Sequence, residues 1–152
     1  MKLLSLGLLL FSAWSLVAQV DADAIEGYWL SDEGDYIVNI YEKQGKYYGK
    51  VAWLRDSLDI YGEPIRDVMN DLPHRRSKYV MGMDVLLSFQ FDKDYWRSGT
   101  IYNYKSGNIY NAKITLSSKG NLELTGYYGI LFFLGKTKIW TKVKNKGMYG
   151  LK

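Results

Sequence analysis

Aromatic residues and glycines recur along the C-terminal half of this chain at the spacing of consecutive antiparallel hairpins. Tyrosine and tryptophan are favoured in strands, and glycine supplies the backbone conformations that tight turns need. This spacing restricts the chain to a fold built mainly of short, sequential strands. The recurring positions are Trp96, Gly99, Tyr102, Ser106, Gly107, Tyr110, Gly126, Tyr127, Gly129, Gly135 and Trp140.

Apolar and polar residues also alternate with a period of two, which is typical of half-buried strands. In 108–116, for example, Tyr110 and Ala112 share one face, and the polar residues beside them share the other. About eight such strands joined by short loops would leave two exposed edges unless the sheet closed. We therefore expect an all-β fold, a single antiparallel up-and-down barrel over residues 25–143, followed by a C-terminal tail, 144–152.

The N-terminus has the composition of a secretory signal peptide. A lysine follows the first methionine, and the apolar run that ends at Ala18 is shorter than the roughly 20 residues a membrane-spanning helix needs. We therefore expect residues 1–18 to direct export rather than to anchor an integral membrane protein. Cleavage is expected between Ala18 and Ala24. One site follows Ala18, and the other follows Ala24, where Ala22 and Ala24 fit the small-x-small rule better.

The chain contains no cysteine. This excludes a lipid anchor attached through a lipobox, every disulfide, and any thiolate nucleophile or cysteine metal site. An exported domain without disulfides fits a bacterial periplasm or outer surface, so we expect a periplasmic or extracellular protein. The formal net charge of +4 comes from interleaved basic and acidic residues, and it gives little support to nucleic-acid binding.

No catalytic constellation is visible in the sequence. His74 is the only histidine, and without a second histidine or a cysteine it builds neither an ordinary zinc site nor a nucleophile pair. The long polar segment 55–79 is rich in carboxylates, but they lack the EF-hand spacing. We assign Asp67 and Asn70 in this segment to hydrogen bonds that order it. The sequence therefore predicts a protein that is not an enzyme and holds no metal or cofactor.

The aromatic residues are the features with most potential for binding. Their rings supply apolar contact and the tyrosine hydroxyls fix orientation, which favours an amphipathic or aromatic ligand over a plain alkyl chain. The alternative is that the same rings fill a small barrel completely. The candidate ligand-binding residues are Tyr36, Trp53, Trp96, Tyr102, Tyr110, Tyr127 and Tyr128.

Several short motifs follow one another along nearly the whole chain after the N-terminal run. They are Gly27-Tyr28-Trp29, Tyr48-Gly49-Lys50-Val51, Asp67 with Asn70, Gly82, Trp96 to Tyr102, Ser106 to Tyr110, Leu124 to Gly129, and Gly135 to Lys142. Their order and spacing resemble a family of exported bacterial proteins known as domain of unknown function 2147. That family is similar to the calycin group of β-barrels, which includes the lipocalins and the fatty-acid-binding proteins. The resemblance implies a lipocalin-like barrel for a small ligand, and it supplies no catalytic residues.

Gly27 and Trp29 also resemble the lipocalin signature, in which the tryptophan plugs the closed end of the barrel. In that signature a basic residue from the last strand packs over the tryptophan. The resemblance implies that Lys142, or else Lys138, makes a cation-π contact with Trp29. Trp140 joins Trp29 and Lys142 in the group that we expect to close the barrel.

Three functions are compatible with these features. The leading hypothesis is an exported, non-enzymatic protein that holds a small hydrophobic or amphipathic ligand inside its barrel. The alternative is a cell-envelope module with a filled core whose aromatic surface and long polar segment contact a protein or a glycan. A third is an enzyme built into a lipocalin-like cup, which requires a polar residue trapped in the cavity. The volume and lining of the interior separate these three functions.

Overall fold

Eight antiparallel strands close into one barrel in the order of the chain. A computed structural model describes residues 20–127 and 135–152. Each strand pairs with the next one in the sequence, and the last returns to pair with the first. The predicted single, all-β, up-and-down barrel is confirmed. The strands are β1 (Gly27–Leu30), β2 (Tyr36–Lys43), β3 (Lys46–Leu54), β4 (Asp84–Asp92), β5 (Tyr95–Asn103), β6 (Asn108–Leu116), β7 (Leu122–Tyr127) and β8 (Lys136–Lys142).

Alternation along the strands decides which side chains face the interior. In β6, Ala112 and Ile114 are buried and the residue between them is exposed, and in β7 Leu122 and Leu124 are buried in the same way. Full burial of one such aliphatic side chain contributes about 1.5–3 kcal/mol. If a strand shifted by one residue against its neighbour, all of its inward-facing apolar side chains would point to solvent. The alternating pattern therefore determines the register of the strand pairing as well as the presence of a strand.

The sequential order of the strands gives the barrel two different ends. Because neighbouring strands are antiparallel, the odd-numbered strands all run toward the end that we call the mouth. The connections from β1 to β2, β3 to β4 and β5 to β6 therefore lie at the mouth, as do the last residue of β7 and the first residue of β8. The other end, which we call the closed end, holds the remaining turns and the residues that precede β1.

A short N-terminal segment plugs the closed end. Residues Ala22–Ile25 form a 3-10 turn, and the Ile25 side chain is fully buried. The Trp29 Nε1–H group donates to the Ile25 carbonyl oxygen at 2.7 Å, and the Trp96 Nε1–H group donates to the Ala22 carbonyl oxygen at 3.0 Å. Both indole groups thus remain hydrogen-bonded although their rings are buried, which is the condition for placing tryptophan in a core.

Lys142 lies over the Trp29 ring at the closed end. Its Nζ atom is 4.8 Å from the ring centre and donates to the Glu26 carbonyl oxygen at 2.6 Å. Burial lowers the pKa of the Lys142 ammonium group from its ordinary value, against the opposing effect of the Glu26 carboxylate. This is the cation-π contact that the lipocalin resemblance implies for Lys142, whereas Lys138 lies at the mouth.

Buried side chains fill the closed half of the barrel. The Phe89 ring is fully buried and lies directly over Gly99, where an added Cβ atom would come within 2.3 Å of it. Gly49 makes similar room for Val38, at 2.6 Å. Glycine at these two positions leaves room for large side chains from the neighbouring strands to fill the interior.

The residues after β8 pack against the outside of the barrel. Lys146–Tyr149 form a 3-10 turn, and the Tyr149 ring lies 5.0 Å from the Trp53 ring. The Tyr28 hydroxyl donates to the carbonyl oxygen of Lys152 at 3.1 Å. The segment expected as a C-terminal tail is therefore ordered by contacts with β1 and β3.

Two sequence-based predictions lie outside the described residues, namely the signal peptide over 1–18 and the ligand-binding role of Tyr128. Within the two described ranges, 20–127 and 135–152, no helix is long and apolar enough to cross a bilayer.

Candidate functional site

A cavity of about 540 Å³ occupies the mouth half of the barrel. This volume falls in the range of about 300–1,000 Å³ that is typical of small-molecule sites. The interior is therefore divided, with a packed closed half and a hollow mouth half. The walls of the cavity are formed mainly by Tyr36, Val85, Ile101, Tyr104, Tyr110, Leu124, Gly126, Tyr127 and Trp140.

Three aromatic rings form the best-fixed part of the wall. The Tyr36 ring packs edge-on against the Trp140 ring, with their centres 5.6 Å apart, and against the Tyr104 ring at 6.1 Å. Each such contact contributes about 0.5–1.5 kcal/mol beyond simple burial. Because the rings hold one another in place, this wall is formed before a ligand arrives, which reduces the entropy lost on binding.

Charged residues surround the entrance of the cavity. The Lys138 Nζ atom lies 2.9 Å from an Asp32 carboxylate oxygen and 3.0 Å from a Glu33 carboxylate oxygen. The Lys105 Nζ atom pairs with Asp35 and lies 3.8 Å from Glu33. One lysine from the β5–β6 turn and one from β8 thus hold the β1–β2 connection. Most of these side chains are partly exposed, so the pairs orient the connection more than they stabilise the fold.

The acidic and basic side chains at the rim shift the pKa values of one another. Burial raises the pKa of Asp35, but the hydrogen bonds from Lys105 and Ser31 outweigh it and place that pKa below its ordinary value. The hydrogen bonds of Lys105 to Asp35 and of Lys138 to Asp32 raise the pKa of both lysines. At neutral pH Asp35, Lys105 and Lys138 are therefore charged.

Four of the candidate ligand-binding residues, namely Tyr36, Tyr102, Tyr110 and Tyr127, lie at this cavity. Trp140, which was expected to close the barrel, also lines the cavity and is 2% exposed. The structure thus brings these aromatic residues together around an open space at the mouth.

Trp53 lies away from the cavity, although it is near the mouth end of β3. The pairing of β2 with β3 is irregular there, because Val38 pairs with Val51 while the neighbouring Ile37 pairs with Trp53. The extra residue, Ala52, forms a β-bulge, after which the buried position moves from the expected Trp53 to Leu54. Trp53 therefore packs on the C-terminal 3-10 turn.

Trp96 lies away from the cavity because it is the second residue of β5 and is therefore near the closed end. It is fully buried, and its ring packs against Phe91 at 5.1 Å and Tyr47 at 6.3 Å. Its Nε1–H group is satisfied by the hydrogen bond that it donates to the N-terminal plug. Trp96 is thus a core residue of the packed half.

The sequence-based search missed Tyr104 and the rim lysines. Lys105, Lys136 and Lys138 all lie at the mouth with Tyr104. A topological signal was present, because in an up-and-down barrel the ends of odd strands and the starts of even strands meet at one end. By this rule the β5–β6 turn, which contains Tyr104 and Lys105, and the start of β8, which contains Lys136 and Lys138, lie at the same end.

The long connection between β3 and β4 is fastened to the barrel by a buried polar cluster. Asp67 is 1% exposed and Asn70 is 8% exposed. The Tyr102 hydroxyl donates to Asp67 Oδ1 at 2.6 Å, and Asn70 Nδ2 donates to Asp67 Oδ2 at 2.6 Å. Asn70 Oδ1 also accepts from the Leu72 backbone N–H group at 3.0 Å. Asp67 and Asn70 therefore order the connection, and Asp67 does so through β5.

Tyr102 lines the cavity but its hydroxyl belongs to this cluster. Burial and the hydrogen bond to Asp67 raise the pKa of Tyr102 to about 12, so it stays a neutral donor at physiological pH. A second groove of about 620 Å³ lies on the other side of Tyr102, between the connection and strands β4 to β6. Within the described residues, no cluster of His, Asp or Glu side chains is arranged to hold a metal ion.

The comparisons with known proteins agree with this architecture. Protein HP1028 from the human pathogen Helicobacter pylori, described as belonging to the lipocalin family, superposes with a TM-score of 0.68 at 24% identity. The match covers 81% of this chain and 85% of that one, and it shows a shared lipocalin-like fold. No curated protein matches the sequence.

The family comparison covers the whole barrel. Residues 27–142, from the first residue of β1 to the last residue of β8, match the model of the family described as "Uncharacterized protein conserved in bacteria (DUF2147)". The resemblance read from the motif order is thus confirmed. The chain belongs to the DUF2147 family of bacterial proteins and folds as a lipocalin-like barrel.

Proposed function

We propose that the protein binds a small amphipathic ligand in the mouth cavity and does not transform it chemically. The observation that carries this proposal is the cavity itself, an aromatic chamber of about 540 Å³ with a charged rim inside an otherwise packed barrel. The carboxylates of Asp32 and Asp35 at its rim are each paired with a lysine, which favours binding over general acid–base catalysis. The lipocalin-like fold adds support by analogy.

A second candidate function is docking to a cell-envelope protein. The observation that favours it is a set of exposed apolar side chains on the long connection, with Ile60 91% exposed and Tyr61 82% exposed. Exposed apolar residues that lie close together are typical of interaction surfaces. This function would use the outside of the barrel and is compatible with ligand binding inside it.

Filling the cavity from Gly126 tests the ligand-binding proposal. A Cβ atom at Gly126 would meet Ile101 and Tyr110 at 3.7 Å, which is ordinary contact, and the larger side chain in Gly126→Phe would extend into the cavity. We expect Gly126→Phe to lower the affinity for the fluorescent probe N-phenyl-1-naphthylamine at least tenfold, by about 1.4 kcal/mol. Fluorescence titration of the purified protein measures this affinity.

Gly126→Ala is the matched control for that experiment. Its single methyl group fits the contacts at 3.7 Å, so we expect it to bind the probe with nearly the affinity of the unmodified protein. Thermal unfolding of both variants checks that the barrel remains folded. Equal probe binding by Gly126→Phe and Gly126→Ala would contradict a site in the mouth cavity.

We also propose that the chain is exported to the periplasm or the outer surface and is cleaved after Ala18 rather than after Ala24. The residues between the two sites contribute to the plug of the closed end. Trp96 Nε1 donates to the Ala22 carbonyl oxygen, and the Tyr47 hydroxyl donates to Asp23 at 2.6 Å. Cleavage after Ala24 would remove both acceptors and leave two donors unpaired, at a cost of about 1–3 kcal/mol for each one that stays buried.

Intact-mass measurement of the protein secreted from a bacterial host tests the cleavage site. We expect the mature chain to begin at Gln19. A version that begins at Ile25 is expected to unfold at lower denaturant concentration than one that begins at Gln19, because it lacks the Trp96 and Tyr47 acceptors. A mature chain that begins at Ile25, or equal stability of the two versions, would contradict the proposal.

A further inference from the structure

Lys136 differs from the other two lysines that line the mouth cavity. Lys105 and Lys138 are both engaged in ion pairs with the β1–β2 connection. Lys136 lines the same cavity, but its side chain forms no ion pair or hydrogen bond with any residue in 20–127 or 135–152. Residues 1–19 and 128–134 contain no aspartate or glutamate. The Lys136 ammonium group, with its three N–H donors, is therefore not neutralised by a side-chain carboxylate of the chain.

Strand pairing places Lys136 on the inward face of β8. Ala112 in β6 is fully buried and pairs with Gly126 in β7, and Gly126 in turn pairs with Lys136. Directly paired residues in an antiparallel sheet project to the same face, so Lys136 shares the inward face with Ala112. Lys136 is also the first residue of β8 and is exposed to solvent. It therefore lies at the entrance of the cavity, on the face of the strand that lines it.

The wall below Lys136 is apolar. Trp140 lies four residues further along β8, on the same face and about 13 Å deeper along the strand. Ile101 and Leu124 line the cavity as well. Gly126, which pairs with Lys136, adds no side chain to this part of the wall. A positive charge at the entrance followed by an apolar wall is an arrangement that fits an amphipathic molecule with a negatively charged head group.

The other charges of the cavity do not compete for Lys136. Three carboxylates and three lysines line the cavity, so its charges are balanced in sum. All three carboxylates belong to the β1–β2 connection and lie within ion-pairing distance of Lys105 or Lys138. An anionic ligand can thus pair with Lys136 without displacing a carboxylate. A cationic ligand would have to displace a lysine from one of the existing pairs.

Resting on the proposed function, we infer that Lys136 binds the head group of the ligand, and that the protein selects amphipathic molecules with one anionic group such as a carboxylate or a sulfonate. The anionic group pairs with the Lys136 ammonium group at the entrance, and the apolar body lies against Ile101, Leu124 and Trp140. Because the head group stays at the entrance, it keeps part of its hydration, and the desolvation that opposes a buried ion pair is small here.

Two fluorescent probes with the same ring skeleton isolate the contribution of the charge. 1-Anilinonaphthalene-8-sulfonate differs from the uncharged N-phenyl-1-naphthylamine only by its sulfonate group. Fluorescence titration at neutral pH gives the affinity of each probe for the unmodified protein and for Lys136→Met, in which the ammonium group is lost and a long apolar side chain remains. We expect Lys136→Met to weaken binding of the sulfonate relative to the uncharged probe about fivefold. This corresponds to about 1 kcal/mol, the upper end for an ion pair in contact with water.

Two further lysine variants are the controls. Lys136→Arg retains the positive charge, so we expect it to keep the relative affinity of the unmodified protein for the sulfonate. Lys113 is exposed on the outer face of β6, between the buried Ala112 and Ile114. Lys113→Met therefore removes the same net charge from outside the cavity, and we expect it to leave the relative affinity unchanged. Thermal unfolding checks that all three variants are folded.

A carboxylate and an uncharged group of the same shape are compared with 1-naphthylacetate and 1-naphthylacetamide. Each compound is used to displace N-phenyl-1-naphthylamine at neutral pH. We expect the unmodified protein and Lys113→Met to bind the acetate about fivefold more tightly than the amide. Lys136→Met is expected to lose this preference. Molar sodium chloride is expected to weaken it in the unmodified protein, because salt screens an ion pair that is in contact with solvent.

The outcomes separate the inference from the proposed function. If N-phenyl-1-naphthylamine binds and Gly126→Phe blocks it, the function stands. Equal effects of Lys136→Met and Lys113→Met on the relative affinity for the sulfonate, or binding of the amide as tight as that of the acetate, then overturn the inference alone. If the uncharged probe does not bind, or Gly126→Phe does not affect it, the proposed function falls and the inference falls with it.

Discussion

A Gly107→Ala variant is expected to unfold at a markedly lower denaturant concentration than the unmodified protein. Gly107 has φ of +75°, and a Cβ atom there would lie 2.1 Å from the carbonyl oxygen of Met69. That oxygen belongs to the backbone of the long connection, so the clash is relieved only if the connection moves away from the β5–β6 turn. The left-handed backbone alone costs about 1–2 kcal/mol, and we expect the total loss to reach about 3 kcal/mol or more.

Gly120→Ala isolates the backbone part of this effect. Gly120 also lies in a hairpin turn, its φ is +76°, and an added Cβ atom would meet no atom within 4 Å. We therefore expect Gly120→Ala to lose only the backbone cost of about 1–2 kcal/mol. Urea unfolding followed by tryptophan fluorescence measures both variants. Equal losses would show that the approach of Met69 to Gly107 contributes nothing to stability.

An Asp67→Ala variant is expected to lose about 3 kcal/mol and to release the long connection. Asp67 accepts hydrogen bonds from the Tyr102 hydroxyl and from Asn70 Nδ2, each at 2.6 Å, within a cluster that is almost fully buried. Hydrogen bonds to a charged group contribute about 1.5–3 kcal/mol each, and removing the carboxylate leaves both donors without it. Asp71→Ala, on the exposed surface of the same connection, is expected to change stability by less than about 0.5 kcal/mol.

Two measurements test this prediction. In a double-mutant cycle, Tyr102→Phe is expected to reduce the cost of Asp67→Ala by about 1–2 kcal/mol, because the unpaired hydroxyl is then absent. Trypsin is expected to cleave Asp67→Ala faster than the unmodified protein at Arg75 and Arg76, which lie in the exposed part of the connection. Additive losses in the cycle together with unchanged proteolysis would contradict a role of Asp67 in holding the connection.

The strands and their order follow from features that are local in the sequence. Alternation in β6 and β7 and short polar turns between strands indicate hairpins, and a chain of hairpins permits few folds other than a closed barrel. The outward position of Trp53 does not follow from alternation along the strand. The bulge at Ala52 reverses the alternation for the last two residues of β3, and no residue type in 51–54 marks such an irregularity.

The candidate site was predictable in its residue type but not in its position along the barrel axis. Tyr102 and Trp96 both lie on β5, yet one is at the mouth and the other is in the packed half. The pattern of apolar residues in a strand indicates which face is buried, whereas the space left inside the barrel depends on the combined volume of all inward-facing side chains. Phe89 lying over Gly99 fills one half, and the absence of a side chain at Gly126 helps to leave the other half open.

The closure of the barrel has a consequence for the order of folding events. β1 and β8 meet through two residue pairs, Trp29 with Lys142 and Leu30 with Thr141, and these strands lie at opposite ends of the chain. The other neighbouring strands follow one another directly in the sequence, so their pairing carries a smaller loop-closure entropy. We therefore expect closure between β1 and β8 to be a late, slow step.

Because Tyr36 on β2 and Trp140 on β8 lie on opposite sides of this junction, their contact in the cavity wall forms only when the barrel closes. A ligand that binds the cavity of the closed barrel would then stabilise the pairing of β1 with β8 and slow the unfolding of the whole barrel.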